Sequence, residues 1–195
     1  MPTLIDFARA IEARDPYSSG HGERVTALAE VIGARLGWDD DQIEVLRIGA
    51  ALHDIGKLAV PERVLNKPGP LNEFELSEVR THPEEGARIL ELVGTLRAAV
   101  PSVLHHHERW DGLGYPSGCA GDAIPAEARV LAVADSFDAM TSNRPYRPAL
   151  TPEAAIAELE RCSGTQFDPE VVEVFVDAWR QGAFDTHVRV HAAAS

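Results

Sequence analysis

Apolar residues along this chain recur mostly at intervals of three and four, the period of an amphipathic helix, and almost nowhere alternate as they would in a strand. The pattern predicts helices over residues 3–14 and 23–37. A further helix begins in an acidic stretch, which suits the positive end of a helix macrodipole, and runs into His53-Asp54. We expect this helix to end near Gly56.

Helix signals continue through the C-terminal half. One helix is predicted to start beside His82, and another should precede the histidine run with a break or kink before Pro101. The strongly apolar stretch AEARVLAVADSFDAMTSN predicts a buried helix that carries Asp135 and Asp138. Two later stretches, TPEAAIAELERC and DPEVVEVFVDAW, each open with a capping residue, a proline and a glutamate, which is a helix-start signature.

The main interruption is the segment DGLGYPSGCAGDAIP, residues 111–125, which contains glycines and prolines throughout. A loop of this length inside a compact domain is usually functional or disordered. The chain shows no internal repeat, linker or low-complexity block. We therefore predict an all-α, single-domain helical bundle over residues 1–182 with this long ordered loop, and a C-terminal tail over residues 183–195.

The formal net charge of -13 excludes one broad class of function. Binding to DNA or RNA without regard to sequence depends on many Lys and Arg contacts to phosphates, so we expect no nucleic-acid polymer as a partner. An anionic substrate would need local cations. The chain has only two lysines, Lys57 and Lys67. Both follow the His53-Asp54 dipeptide closely in the sequence.

Composition also bears on the compartment. No stretch approaches the roughly 18 uninterrupted apolar residues of a membrane span, and the N-terminal segment lacks the basic region of a signal peptide. The two cysteines, Cys119 and Cys162, form no Cys-x-x-Cys pair and fit a reducing compartment. We expect a cytoplasmic protein that does not span a membrane.

Candidate chemistry is concentrated in histidines and two acidic residues. Imidazoles and carboxylates that converge from several helices can bind pairs of divalent ions, and a carboxylate such as Asp54 can bridge them. Since no cysteine joins the set, iron or manganese fits at least as well as zinc. The candidates are His21, His53, Asp54, His82, His105, His106, His107 and Asp135.

Each candidate taken alone also has a structural interpretation. A single histidine in a helical protein is more often a surface residue or a satisfied core group than a ligand, and the same holds for the His53-Asp54 dipeptide. Asp135 is more suggestive because a buried carboxylate without a partner is costly, and a metal offsets that cost. His105 should project to a different side of its helix from His106 and His107, so it is the least favoured ligand of the three.

Four stretches together resemble a known family. HDIGKLAVPERVLNKPGPLNEFE, HPEEGARIL, HHERWDGLGYPSG and ADSFDAMTSNRPYR are similar, in this order, to the motifs of the HD-GYP family of metal-dependent phosphohydrolases. The similarity covers roughly residues 3–180. It implies an all-α bundle, a centre of two or three metal ions, and hydrolysis of the bacterial second messenger cyclic di-GMP.

The resemblance also implies roles for individual residues. Asp54 and Lys57 would be the catalytic residues. Asp54 would bridge the metal ions, and Lys57 would contact the scissile phosphate. Tyr115 would pack on a guanine ring or fix the loop. The implied metal ligands are His21, His53, Asp54, His82, His106, His107 and Asp135, and the implied substrate-binding residues are Lys57, Gly114, Tyr115, Pro116, Arg144 and Arg147.

One departure bears on the metal count. Relatives with a third metal carry a glutamate four residues before the first histidine, and here Tyr17 stands there. The resemblance therefore implies two divalent ions, with iron or manganese favoured and zinc, cobalt or nickel as alternatives.

The resemblance leaves three functions open. The first is a phosphodiesterase that opens cyclic di-GMP to the linear dinucleotide or cuts it on to GMP. The second is an HD phosphohydrolase that acts on another cyclic dinucleotide or nucleotide. The third is a non-catalytic cyclic di-GMP sensor or adaptor that docks a diguanylate cyclase (GGDEF) or a sensory partner.

Overall fold

Residues 20–143 and 148–184 are the part of the chain that the computed structural model describes, and helices dominate it. No β-strand occurs in these two ranges, which confirms the predicted all-α class. The α-helices are α1 His21–Arg35, α2 Asp40–Leu52, α3 Glu62–Leu65, α4 Glu73–Val79, α5 His82–Glu91, α6 Val100–His105, α7 Ala126–Thr141, α8 Pro152–Arg161 and α9 Pro169–Arg180, and short 3₁₀ helices span Ile55–Ala59, Gly94–Ala99 and Gly121–Ala123.

Local sequence explains most helix boundaries. Asp39 accepts a hydrogen bond from the Gln42 amide while the Gln42 side chain accepts one from the Asp39 amide, a capping box that starts α2. Proline at the first or second position begins α5, α6, α8 and α9. The predicted break before Pro101 is a change from 3₁₀ to α geometry between Ala99 and Val100.

The helix expected to end near Gly56 ends at Leu52, and two other predicted boundaries also differ from the structure or lie outside the described residues. The helix predicted over 23–37 begins at His21, because Gly20 takes a left-handed conformation (φ 68°) that ends the preceding chain direction. The helix predicted over 3–14 lies outside the described residues. At the C-terminal end, Phe184 is buried in the core, and the proposed division between residues 182 and 183 stays a prediction.

Two apolar clusters hold the helices together. The larger one joins α1, α2, α7, α8 and α9 through side chains that include Leu131, Phe137 and Phe175. A smaller one is formed by Leu52, Ile55, Leu90, Ala99 and Val103. These five residues come from α2, α5, α6 and the 3₁₀ turns beside them, the elements that carry or adjoin His53-Asp54, His82 and His106-His107. Burial of this cluster therefore sets the relative positions of those ligands.

None of the helices in the described ranges is both long and apolar enough to cross a lipid bilayer.

A close backbone contact joins two of the ligand-bearing elements. A Cβ atom added to Gly56 would lie 1.8 Å from the carbonyl oxygen of His82 and 2.5 Å from the amide nitrogen of Gly86. Only glycine allows the turn after His53-Asp54 to approach the start of α5 this closely. The contact brings Asp54 next to His82.

We predict that Gly56→Ala lowers the free energy of unfolding by about 1–3 kcal/mol or more, because backbone atoms must move to admit the methyl group. Urea unfolding followed by circular dichroism measures the change. Gly94→Ala is the matched control, since a Cβ atom at Gly94 meets nothing within 4 Å; we expect it to change stability by less than about 1 kcal/mol. Equal stability of the two variants would contradict the close approach.

Candidate metal centre

The predicted ligands come together where helices begin or end. His21 is the first residue of α1 and His82 the first of α5. His53 and Asp54 directly follow α2, and the two histidines after α6 close the group. Asp135, in the middle of α7, completes it. The structure therefore brings together in one buried centre the residues His21, His53, Asp54, His82, His106, His107 and Asp135.

The histidines of the centre form two imidazole groups, and the second group consists of His82, His106 and His107. The Nδ1–H of His82 donates to the Val79 carbonyl oxygen (2.8 Å), and that of His106 to the Val103 carbonyl oxygen (2.7 Å). A carbonyl only accepts, so the proton of each neutral ring lies on Nδ1 and a lone pair on Nε2. The Nε2 atoms of His82 and His106 lie 3.2 Å apart.

The first imidazole group consists of His21 and His53. His53 donates through Nδ1 to the Ala50 carbonyl oxygen (2.7 Å), and its Nε2 lies 3.2 Å from the Nε2 of His21. His21 lies between two carboxylates: its Nδ1 is 2.7 Å from an oxygen of Asp138 and its Nε2 is 3.3 Å from an oxygen of Asp135.

Asp54 lies between the two groups. Its Oδ1 is 3.5 Å from the Nε2 of His82, whereas its Oδ2 is 3.5 Å from the Nε2 of His53 and 4.0 Å from that of His21. The Nζ of Lys57 donates to the same Oδ2 at 2.7 Å. One carboxylate therefore presents one oxygen to each imidazole group.

Burial and charge give the two groups different protonation. Burial and neighbouring imidazoles hold the pKa of His106 well below its usual value, and burial lowers the pKa of His107 to about 4. Burial alone would also lower the pKa of His21, but hydrogen bonds with Asp135 and Asp138 outweigh it and raise the pKa to about 10. The second group is therefore neutral at pH 7, while His21 carries a proton on both ring nitrogens.

Both carboxylates at the centre are ionised. Burial would raise the pKa of Asp54, but Lys57 and the surrounding histidines hold it well below its usual value. Asp135 behaves alike, since its hydrogen bond and charge interaction with His21 overcome burial and lower its pKa. The centre thus combines ionised carboxylates with the neutral second imidazole group and a protonated His21.

The donor set fits divalent cations. Two buried lone pairs that face each other at 3.2 Å, as in His82 and His106, repel unless a positive charge lies between or beside them. The oxygen of Asp54 on that side adds negative charge. Nitrogen and oxygen donors without sulfur suit iron, manganese or zinc. His82, His106 and His107 with Asp54 would hold one ion, and His21, His53 and Asp135 with Asp54 another.

The loop over residues 111–125 forms one wall of this centre. A Cβ atom added to Gly114 would lie 2.4 Å from the amide nitrogen of Arg109, so the loop folds back closely on the segment after the histidines. Tyr115, the next residue, stacks on His107 with ring centroids 4.9 Å apart. The Arg80 guanidinium lies 5.3 Å from the centroid of the same tyrosine ring. The structure thus places Tyr115 against a candidate ligand.

Some predicted residues lie elsewhere. His105 does not join either imidazole group; it points toward Cys119, whose Sγ is 3.9 Å from its Nδ1. This agrees with the expected orientation of His105. The residues Tyr17, Arg144 and Arg147 lie outside the described residues.

Asp138, for which the sequence predicts a place on a buried helix and no role, lies directly behind His21. It is buried, its Oδ2 accepts from the Nδ1–H of His21, and Arg24 donates to both of its oxygens (2.5 and 3.0 Å). A carboxylate behind a ligating imidazole fixes the ring and raises its basicity. Its position three residues after Asp135, on the same face of α7, was the signal that could have identified it.

An all-helical domain with a buried centre for divalent cations is the class of protein that this fold and site define. A family model described as HD domain matches residues 7–171, and the chain belongs to that family. The matched range includes the His53-Asp54 dipeptide and the triplet at residues 114–116, and the match confirms the resemblance to the HD-GYP group that these motifs carry.

Curated relatives and a solved structure agree with this assignment. The cyclic di-GMP phosphodiesterase response regulator RpfG of Xanthomonas campestris pv. campestris is 44% identical over 181 residues, covering 89% of this chain and 47% of that relative. The 3'3'-cGAMP-specific phosphodiesterase 3 of Vibrio cholerae is 39% identical over 164 residues, covering 84% of this chain and 36% of that relative. The chain therefore spans less than half the length of either relative.

A crystal structure of a cyclic GMP-AMP specific phosphodiesterase of V. cholerae superposes with a TM-score of 0.73 at 20% identity, over 96% of this chain and 52% of that one. At this identity the likeness shows a shared fold.

We predict that Asp138→Asn lowers the affinity for Mn²⁺ by about 10–100-fold, because it removes the charge that orients and polarises His21. Metal titration by calorimetry measures the change, with circular dichroism to verify the fold. Asp122→Asn is the matched control, because the Asp122 side chain is 91% exposed and pairs with Arg129 and not with a candidate ligand. Unchanged affinity in the Asp138 variant would show that His21 does not need this partner.

Proposed function

We propose that this chain is a metal-dependent phosphodiesterase that hydrolyses cyclic di-GMP to the linear dinucleotide, to GMP, or to both, in bacterial second-messenger signalling. The observation that carries the proposal is the position of Asp54, which presents one oxygen to each of two buried imidazole groups. Such a carboxylate is suited to bridge two divalent ions. A pair of ions is the usual arrangement for cleaving a phosphodiester.

The charge of the protein supports a metal-dependent reaction. A chain of net charge -13 repels a cyclic dinucleotide, which carries two phosphodiester charges. Binding such a substrate requires concentrated positive charge at the site. When bound, two divalent ions neutralise charge on phosphate oxygens and lower the pKa of a water molecule. We propose iron or manganese for these positions, since the donors are nitrogen and oxygen alone.

The remaining work falls to the chain's own residues. Lys57, which is partly exposed beside Asp54, would donate to a phosphate oxygen and stabilise charge that develops there. Tyr115 and Arg80 would bound the substrate from the loop side. Hydrolysis adds one water across one P–O ester bond, so the ring opens without loss of any atom. In the proposed reaction a second addition across the remaining inter-nucleoside ester gives GMP.

The relatives support this substrate class. RpfG is named for cyclic di-GMP, and its similarity covers most of this chain. A second candidate substrate is 3'3'-cGAMP, which the V. cholerae relative's name specifies. We place the reaction in the cytoplasm, in keeping with the free cysteines Cys119 and Cys162. A diguanylate cyclase or a sensory protein is the proposed regulatory partner.

A substrate panel tests the proposed function. Protein purified without air is loaded with iron, manganese, cobalt, nickel or zinc and incubated with cyclic di-GMP, 3'3'-cGAMP and cyclic di-AMP, and the products are separated by chromatography. We expect turnover of cyclic di-GMP first. Faster turnover of 3'3'-cGAMP would favour the second candidate. Tight binding of cyclic di-GMP with no turnover under any metal would overturn the proposal in favour of a sensor or adaptor.

We predict that Lys57→Ala lowers kcat by about 10²–10³-fold, the usual effect of removing one donor to a developing oxyanion. Lys67→Ala is the matched control, because Lys67 pairs with Glu75 and not with Asp54. The kcat of this variant should equal that of the unmodified protein. Metal content is measured in both variants. An equal loss in the two variants would mean that Lys57 has no particular role.

The bridging position of Asp54 makes a separate prediction. Asp54→Ala should lower the metal content of the protein from two ions to nearly none, because both groups lose an oxygen donor. His82→Ala should leave one ion in the first imidazole group. Elemental analysis of air-free preparations measures the content. If Asp54→Ala and His82→Ala each lost a single ion, Asp54 would not be a bridge.

A further inference from the structure

A third cluster of potential ligands lies outside the metal centre. His105 is the last residue of α6, Glu108 lies three residues further along, and Cys119 comes from the loop that carries Tyr115. The Nδ1 of His105 is 3.9 Å from the Sγ of Cys119 and 3.7 Å from the Oε1 of Glu108. One donor atom from each of the three residues lies within 4.8 Å of the other two.

Glu108 is the unusual member of this cluster. It is only 4% exposed, and its Oε1 accepts from the amides of Ser117 and Gly118 at 2.6 and 3.1 Å. Its Oε2 is also buried and has no hydrogen-bond partner within the described ranges. A buried carboxylate oxygen without a partner costs free energy unless something positive binds it.

We propose that His105, Glu108 and Cys119 bind a zinc ion, at a site separate from the metal centre. Imidazole nitrogen, carboxylate oxygen and thiolate sulfur are the three donors that zinc takes in proteins. Around a tetrahedral zinc ion a nitrogen and an oxygen donor lie about 3.4 Å apart, and a nitrogen and a sulfur donor about 3.6 Å apart. The measured nitrogen–oxygen and nitrogen–sulfur separations, 3.7 and 3.9 Å, each exceed these values by about 0.3 Å, so a small movement of the loop would bring the donors to one ion.

The charges of the cluster balance with zinc bound. Burial and the Glu108 carboxylate raise the pKa of the Cys119 thiol, so without metal the thiol keeps its proton. Zinc would displace that proton to solvent and bind the thiolate. The two positive charges of the ion then meet one carboxylate, one thiolate and a neutral imidazole. Water takes the fourth position, since the chain supplies three donors here, and that position allows the ion to exchange.

A zinc ion in this position would link the loop over residues 111–125 to the end of α6. Cys119 lies four residues after Tyr115, which stacks on His107, and Glu108 directly follows His107. The ion would therefore hold the loop wall against the segment that carries two ligands of the metal centre. The zinc proposal does not depend on the proposed function, because it concerns a sulfur donor that the metal centre lacks.

Cobalt substitution tests the site directly. The full chain is stripped of metal, loaded with Co²⁺ and examined by absorption spectroscopy. Cobalt bound to a thiolate gives an intense sulfur-to-cobalt charge-transfer band in the near ultraviolet, which nitrogen and oxygen donors do not give. We expect one thiolate-bound cobalt per chain, displaced by added Zn²⁺. Absence of the band while the metal centre is loaded would overturn the proposal.

Three variants identify the ligands. Cys119→Ser should abolish the band, and His105→Gln should weaken cobalt binding by at least the roughly 10–100-fold that loss of even an outer-shell partner costs. Cys162→Ser is the matched control and should keep the band, because the buried Cys162 lies outside the cluster. A band that survives Cys119→Ser, disappears in Cys162→Ser or is unaffected by His105→Gln would contradict the assignment.

Discussion

Buried imidazoles whose lone pairs face each other are the constraint on which the structure depends. His82 and His106 each donate through Nδ1 to a main-chain carbonyl three residues earlier, which commits Nε2 to accept. The folded chain then holds these acceptors a few ångströms apart, away from water. Such an arrangement is unfavourable for the protein alone and favourable around a cation, so the fold is organised to bind positive charge.

The fold supplies this arrangement by bringing helix ends together. An imidazole at the end of a helix can donate back to the last turn while its other nitrogen projects beyond it, and the smaller apolar cluster keeps these ends in register. The close approach of Gly56 to the start of α5 sets the distance between Asp54 and His82. Since the same contacts pack the core and place the ligands, stability and metal binding rest on shared residues. Asp138 and Arg24 extend this support behind His21.

The sequence predicts the helices well because their signals are local. The 3.6-residue period, the capping residues and the proline starts belong to single segments, and the observed α2, α5, α7, α8 and α9 follow them. The site depends on contacts between distant segments, and these are harder to infer. His21 and Asp138 are 117 residues apart, and no local pattern pairs them. The burial of Glu108 also depends on a contact between segments, because the loop that covers it comes from later residues.

The histidine run shows why neighbouring residues acquire different roles. Successive residues on a helix are rotated by about 100°, so three consecutive side chains cannot all face one site. His105 still belongs to α6 and faces the loop, whereas His106 and His107 follow its end and face the centre. The loop contacts two histidines of the run: Tyr115 stacks on His107, and Cys119 lies beside His105. Gly114 allows the loop to fold back, because a side chain at this position would collide with the backbone of Arg109 and Glu108. Steric fit therefore explains the glycine of the triplet. Any movement of this loop therefore acts on both ends of the histidine run at once.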